Sequence, residues 1–309
     1  MTLKIALVGI GKIARDQHIP SIAATNGISL GATASRNPSA TVDGVPSYTS
    51  LAELLSAESG ISAVSLATPP QARFADAAAA LAAGRHVMLE KPPGATLSEV
   101  HALQAMAERQ GVTLFATWHS REAAAVDAAR DWLASRTITR VRIEWREDVR
   151  HWHPGQDWVW EAGGMGVFDP GINALSVLTA ILPAPVHLER AELHFPDNRE
   201  TPVSAELVFH EAGGADVSAS FDWLEPGDPT WNIVLETTEG SALISEGGAC
   251  FAPEYGERVR GEDREYARLY ARFADLVASR ASEVDLAPMR HVADAFTLGR
   301  RIVAPAFEW

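Results

Sequence analysis

Residues 3–8, Leu-Lys-Ile-Ala-Leu-Val, run directly into Gly9-Ile-Gly11-Lys-Ile-Ala14. An apolar strand feeding a Gly-x-Gly-x-x-Gly/Ala turn that opens a helix is the context a dinucleotide-binding βα unit requires. Gly9 permits the tight turn, Gly11 lets backbone approach a pyrophosphate, and Ala14 is small enough for helix to lie close on strand. The helix N-terminus then offers unpaired N–H groups to phosphate oxygens. A tight turn with no ligand would use the same glycines. The pattern downstream argues for the cofactor: apolar runs near 3–8, 28–34, 62–67, 85–89 and 112–117 alternate with helical, Ala-rich segments near 12–24, 49–57, 71–83 and 96–109. Such alternation predicts a Rossmann fold, a doubly wound parallel sheet.

After a helix near 121–135 the pattern changes. Residues 137–149 alternate apolar and polar with period 2, as an antiparallel strand with one exposed face does. Further strands are expected near 186–195, 203–210, 215–223, 231–237 and 241–245, with helices near 170–181, 262–279 and 288–302. The expected organisation is therefore α/β followed by α+β. A nucleotide-binding domain spans 1–119, and 120–309 forms a substrate-binding and oligomerisation domain on a large, mainly antiparallel sheet flanked by helices. The last helix, near 288–302, is a candidate to pack back on the first domain.

The end of the second strand bears on the cofactor's charge. An acid there would accept from a ribose 2′-OH and repel a 2′-phosphate, whereas this chain has Ser35-Arg36. A guanidinium holds phosphate through charge-assisted hydrogen bonds and a serine hydroxyl adds another, so NADP is favoured, with NAD the alternative. The plainer reading of Arg36 is an exposed surface cation. The expected cofactor contacts are Gly9, Gly11, Lys12, Ile13, Ser35, Arg36, Thr68, Pro69, Glu90 and Lys91.

Charge excludes other partners. With 26 basic residues against 40 acidic and a formal net charge of −14, the chain repels nucleic acid and anionic membranes. No apolar run approaches the roughly 20 residues that span a bilayer. Cys250 is the only cysteine and no zinc-type spacing occurs, so no metal and a cytoplasmic setting are expected. Lysine occurs only at Lys4, Lys12 and Lys91, which makes a solvated surface role for Lys91 the weaker reading.

Glu90-Lys91-Pro92-Pro93 follows the fourth strand, and Gly163-Gly164-Met-Gly-Val-Phe-Asp169-Pro-Gly171-Ile-Asn173 lies in the second half. Together with Gly9–Ala14 these resemble the family of glucose-fructose oxidoreductase, inositol dehydrogenase and MocA (Gfo/Idh/MocA), over essentially the whole chain. Residues 9–18, 116–121, 152–156 and 166–176 are similar to its branch of NAD(P)-dependent L-arabinose and D-galactose 1-dehydrogenases. The wider family's histidine is Asn173 here, and an amide cannot take a proton at neutral pH. The resemblance therefore implies a catalytic set of Lys91, Asp169 and Asn173, with Asp169 as the base and Lys91 orienting the C1 oxygen and stabilising developing alkoxide charge. Asp169 and Asn173 are four apart, so on a helix they share a face. The competing expectation for Asp169, which precedes Pro170, is a helix N-cap with proline at N1.

The stretch 147–160 holds three of the nine tryptophans. Indole faces pack on the apolar C–H surface of a pyranose while acids and imidazoles hold its hydroxyls. His119, Glu147, Trp152, His153, Asp169, Asn173 and Trp231 are the expected sugar contacts. His119 reads equally as a satisfied core histidine, and Trp158 and Trp160 read as packing. A metal held by His119, His151 and His153 is disfavoured, because alternate residues of an extended segment point opposite ways. The implied activity is oxidation of an aldopyranose (L-arabinose, D-galactose, D-fucose) at C1 to the aldonolactone. The alternatives are an NADP-binding regulator without turnover and a polyol or inositol dehydrogenase. A homodimer is expected through the large sheet, although the outward face of 137–149 carries Arg140, Arg142, Glu144 and Arg146.

Overall fold

The computed structural model describes residues 2–309. Up to His119 the chain forms strands β1 (Leu3–Val8), β2 (Ile28–Ala34), β3 (Ser47–Tyr48), β4 (Ala63–Leu66), β5 (His86–Leu89) and β6 (Leu114–Ala116), with helices α1 (Ile19–Ala24), α2 (Leu51–Ala57), α3 (Pro70–Ala82) and α4 (Leu97–Gln110). Beyond it come α5 (Val126–Leu133), β7 (Ile138–Arg146), α6 (Val149–Trp152), α7 (Phe168–Ile181) and β8 (Val186–Pro196). Strands β9 (Ser204–Glu211), β10 (Asp216–Asp222), β11 (Thr230–Thr237), β12 (Gly240–Ser245), β13 (Cys250–Pro253) and β14 (Val259–Arg260) precede α8 (Glu265–Ser279), α9 (Ala287–Leu298) and β15 (Arg300–Ala304).

Two compact units result: the chain up to His119 with Glu265–Asp285, and Ser120–Arg264 with Leu286–Trp309. The first is a parallel six-stranded sheet in the order β3-β2-β1-β4-β5-β6. All four residues of β4 are buried, as a central parallel strand covered on both faces must be. Helix α4 is fixed at both ends: Thr96 and Glu99 form a reciprocal capping box, and Gly111 closes it in the left-handed region at φ 64°.

Two expectations about helices are corrected. The segment expected at 262–279 within the second domain is α8, and it belongs to the first unit. Its Tyr266, Leu269, Tyr270, Phe273 and Leu276 share a buried cluster with Ile5, Ile22, Ala63, Met88 and Phe115. The helix expected to run through 302 stops at Leu298, and both α9 and the residues after it group with the second unit. A Cβ at Gly299 would come within 2.4 Å of the Ala295 carbonyl, so the chain passes tightly there and leaves as β15, paired parallel with β8.

The second unit carries a nine-stranded sheet in the order β14-β13-β12-β11-β7-β10-β9-β8-β15. It is mixed rather than wholly antiparallel, because β7 runs parallel to β10 and β15 parallel to β8. Val141, Ile143 and Trp145 of β7 are buried, and the opposite face shows Arg140, which pairs with Asp216 at 3.5 Å and Glu236 at 3.6 Å. The short strands β3, β13 and β14 lie outside the expected set. Among the described residues no helix is long and apolar enough to cross a membrane.

Candidate active site

Strand β1 delivers the chain to Gly9 at φ +89°, where a Cβ would lie 2.9 Å from Ala67 C and Thr68 N. Only glycine fits that close approach. At Gly11 a Cβ would meet nothing within 4 Å, so the turn opens outward where a pyrophosphate would lie. Ala14 is fully buried and starts a π-helical turn, Ala14–His18, that leads into α1. Thr68 Oγ1 is a buried hydroxyl oxygen with no protein partner beside this turn. A glycine cradle next to an orphaned hydroxyl fits a dinucleotide's phosphates. Ile13 is exposed, Pro69 is the N-cap of α3, and Lys12 pairs with Asp16 one turn on. At the end of β2, Ser35 Oγ accepts from Asn37 N at 3.3 Å and Arg36 is exposed. Burial raises the pKa of Asp76 on α3 while the Arg36 charge lowers it, with a net rise.

At the end of β5, Glu90 is buried within a network reaching β4, α8 and the π-helical turn. It accepts from Tyr266 Oη at 2.6 Å and from the Lys91 amide at 2.7 Å, and lies 3.2 Å from His18 Nε2. His18 Nδ1 meets Tyr270 Oη at 2.7 Å, and that hydroxyl meets Ser65 Oγ at 3.0 Å. Burial alone would push the Glu90 carboxyl upward. The hydrogen bond and charge of His18, the charge of His119 and the Tyr266 hydroxyl outweigh it and hold Glu90 well below the usual carboxylate range. The following Lys91–Pro92 peptide is cis. Arg73, buried on α3, donates to the carbonyls of Thr68, Glu90 and Pro92, tying the ends of β4 and β5 together. His119 lies 2.5 Å from Glu265 Oε2 through Nδ1 and stacks on Tyr266 at 5.5 Å. Burial disfavours its charged form, but Glu265 and Glu90 prevail and its pKa is raised.

In the second unit, Glu147 follows β7 and is buried. Its two oxygens accept from Trp223 Nε1 at 3.1 Å and Trp231 Nε1 at 2.9 Å. Burial pushes its pKa up and the Asp169 charge adds to this, while the two indoles and His153 oppose, leaving it at about 7. Trp152 packs on Trp231 at 5.4 Å, and Trp231 stacks on Trp145 at 6.0 Å. Asp169 Oδ2 lies 3.1 Å from His153 Nε2.

Two local expectations change. Asp169 is not the N-cap of α7: the cap position is Val167, two residues sooner, with Gly171 N bonding to Val167 O at 3.0 Å, and no side chain caps the helix. The Asp169 carboxylate, in the first turn, is turned toward His153 instead. His151 lies in a helical turn, α6, and His153 is its C-cap, rather than both lying in an extended run; His151 packs on Trp152 at 4.8 Å while His153 faces Asp169. Asn173 does lie one turn beyond Asp169 on α7, and it is half-buried.

The expected residues thus fall into two sets. Gly9, Gly11, Thr68, Glu90, Lys91 and His119 belong to the first unit; Glu147, Trp152, His153, Asp169, Asn173 and Trp231 belong to the second. Sequence reasoning missed Arg73, His18, Tyr266, Tyr270, Gln156 and Trp223. His18 stood within the 9–18 stretch whose resemblance was noted, and Trp223 ended an expected strand. Gln156 lies within the 152–156 stretch in the same way, and Arg73, Tyr266 and Tyr270 carry no local signal.

Residues 3–117 match the family described as oxidoreductase family, NAD-binding Rossmann fold. The chain is 42% identical to galactose 1-dehydrogenase of Pseudomonas fluorescens, over 99% of this chain and 98% of that one. It is 55% identical to the crystal structure of D-galactose-1-dehydrogenase from Rhizobium etli, with a TM-score of 0.95 over 99% of this chain and 98% of that one. KijD10, a 3-ketoreductase from Actinomadura kijaniata in complex with NADP and TDP-benzene, shares the fold at a TM-score of 0.86 and 20% identity, over 99% of this chain and 100% of that one. The chain belongs to the Gfo/Idh/MocA family of NAD-binding oxidoreductases.

Proposed function

We propose that this chain oxidises an aldopyranose at C1 to the aldonolactone, with NADP as the preferred acceptor and NAD as the alternative. D-Galactose, L-arabinose and D-fucose are the proposed substrates. The observation that carries this reading is the cluster of Glu147, His153 and Asp169 walled by Trp152, Trp223 and Trp231, an arrangement suited to a neutral polyhydroxylated ring. Similarity to galactose 1-dehydrogenases along nearly the full length supports it.

The first unit would bind the dinucleotide through Gly9, Gly11, Lys12, Ile13, Ser35, Arg36, Thr68, Pro69, Glu90 and Lys91. A bound oxidised nicotinamide supplies the two-electron acceptor. Asp169 takes the C1 hydroxyl proton, Lys91 orients the C1 oxygen and offsets its developing charge, and Asn173 steadies the same group from one helical turn away. Trp152 and Trp231 pack on the C–H face, while Glu147 and His119 hold hydroxyls and His153 acts on the sugar through Asp169. L-Arabinose and D-galactose share configuration from C1 to C4 and differ at C5, where galactose carries a hydroxymethyl group; one misplaced methylene is worth only about 1–3 kcal/mol, so one pocket could accept both. The protein acts in the cytoplasm as a homodimer in this reading.

Absorbance at 340 nm with NADP and a panel of L-arabinose, D-galactose, D-fucose, D-glucose and myo-inositol tests the proposal. Turnover with the first three supports it. Turnover with myo-inositol alone points to a polyol dehydrogenase, and tight NADP binding without turnover to a regulator.

A further inference from the structure

The wider family's histidine is Asn173 in this chain, yet an imidazole still meets the aspartate. It arrives from another element: His153, just after α6, brings Nε2 to 3.1 Å from Asp169 Oδ2 on α7.

The other edge of the ring fixes its tautomer. Trp158 Nε1, a donor only, points to Gln156 Oε1 at 3.0 Å, so Gln156 presents its oxygen there. His153 Nδ1 lies 3.3 Å from the same oxygen and must carry hydrogen to bond with it. In a neutral ring Nε2 would then be a lone pair aimed at a carboxylate oxygen. Two acceptors at that separation need a proton between them, so at rest Nε2 and Oδ2 share one. The partners differ in access to water: the Asp169 side chain is 9% exposed and that of His153 is 20% exposed. The rings of Trp158 and Trp223 flank the imidazole at 6.1 and 5.4 Å, and Glu147, just after β7, is a titratable group that interacts electrostatically with both partners.

We propose that His153 is the proton exit of the site, passing to water the proton that Asp169 takes from substrate. The inference rests on the reading of Asp169 as the base. As the C1 O–H bond breaks, its proton goes to the Asp169 carboxylate, C1 becomes a carbonyl carbon, and its C–H electron pair reduces the nicotinamide. The sugar loses two electrons and the nicotinamide gains two. One proton enters the pair from the sugar and one leaves to water from the imidazole, so the pair ends each turnover holding the single proton with which it began.

Stopped-flow measurement of NADPH at 340 nm alongside a pH-indicator dye, in weak buffer with D-galactose and NADP, tests the step. In wild type the two signals rise together. In His153→Ala and in His153→Gln, which keeps the volume, proton release should trail NADPH by roughly tenfold or more. Added imidazole should restore coincidence in the alanine variant, where the space is open, and not in the glutamine variant. Signals that stay in step in both variants overturn the relay, as does a defect confined to sugar KM. An Asp169→Asn variant with wild-type turnover would instead overturn the underlying assignment of the base, a result separable from either of those.

Discussion

Trp231 Nε1 donates to Glu147 Oε2 at 2.9 Å, and with the Trp223 indole on the other oxygen the carboxyl is held from both sides in a buried position. Burial still dominates and leaves Glu147 titrating at about 7 rather than near 4.5. A carboxyl raised on folding contributes stability that is full below about 4.5 and is lost as pH rises through 7, on the order of 3 kcal/mol for this shift. The stability gap between wild type and Glu147→Gln, measured by urea unfolding, should therefore shrink between pH 5 and pH 8. A gap that widens over that range would refute the assignment.

Glu90 behaves in the opposite sense. Its folded pKa is depressed, so its contribution is present above about 4.5, its unfolded value, and is lost as pH falls below that. Glu90→Gln should cost about 2–3 kcal/mol at pH 7, the worth of charge-assisted bonds from His18 and Tyr266. Repeating the unfolding near pH 4 should show a smaller loss.

Arg73 satisfies three backbone carbonyls in a buried position, which a lysine cannot reproduce with a single ammonium. Arg73→Met should destabilise by roughly 3–5 kcal/mol, and Arg73→Lys by less. Both should weaken NADP binding, read by fluorescence titration, because the ends of β4 and β5 lose their common tie.

For Arg36→Ala, kcat/KM with NADP should fall about 10- to 100-fold, the loss of a charged hydrogen bond, while that with NAD changes little. Equal losses with the two cofactors would remove Arg36 from the 2′-phosphate site.

Asp169→Ala should lower kcat by a factor on the order of 10² to 10⁴ with D-galactose. Near-normal turnover would exclude Asp169 as the base.

How much of this could be read from the chain depends on the range of the interactions. The nucleotide turn was legible because Gly9, Gly11 and Ala14 act through their own backbone and immediate neighbours. Five of the six strands of the first sheet, all but β3, are legible from continuous apolar runs, and β7 from its alternation. The proline after Asp169 makes an N-cap the competing expectation to a base, but the cap position falls two residues sooner, at Val167, and the carboxylate meets His153, a partner no spacing rule reveals. Arg73 looked like any helical arginine; what makes it structural is three carbonyls from two separate loops. Helix α8 shows an amphipathic pattern, yet periodicity states only that a face is buried, not against what.

That helix has a consequence for the order of events during synthesis. The first sheet's buried cluster needs Tyr266, Tyr270 and Phe273, and Glu90 receives the hydroxyl of Tyr266, so the nucleotide-binding unit lacks part of its interior until the chain has left the ribosome past Phe273. Loop closure over so long a separation comes late, and apolar Ile5, Ile22 and Phe115 wait without their cover while the second sheet is being made. The segment up to His119 thus emerges ahead of the second sheet and waits for α8 to complete its interior.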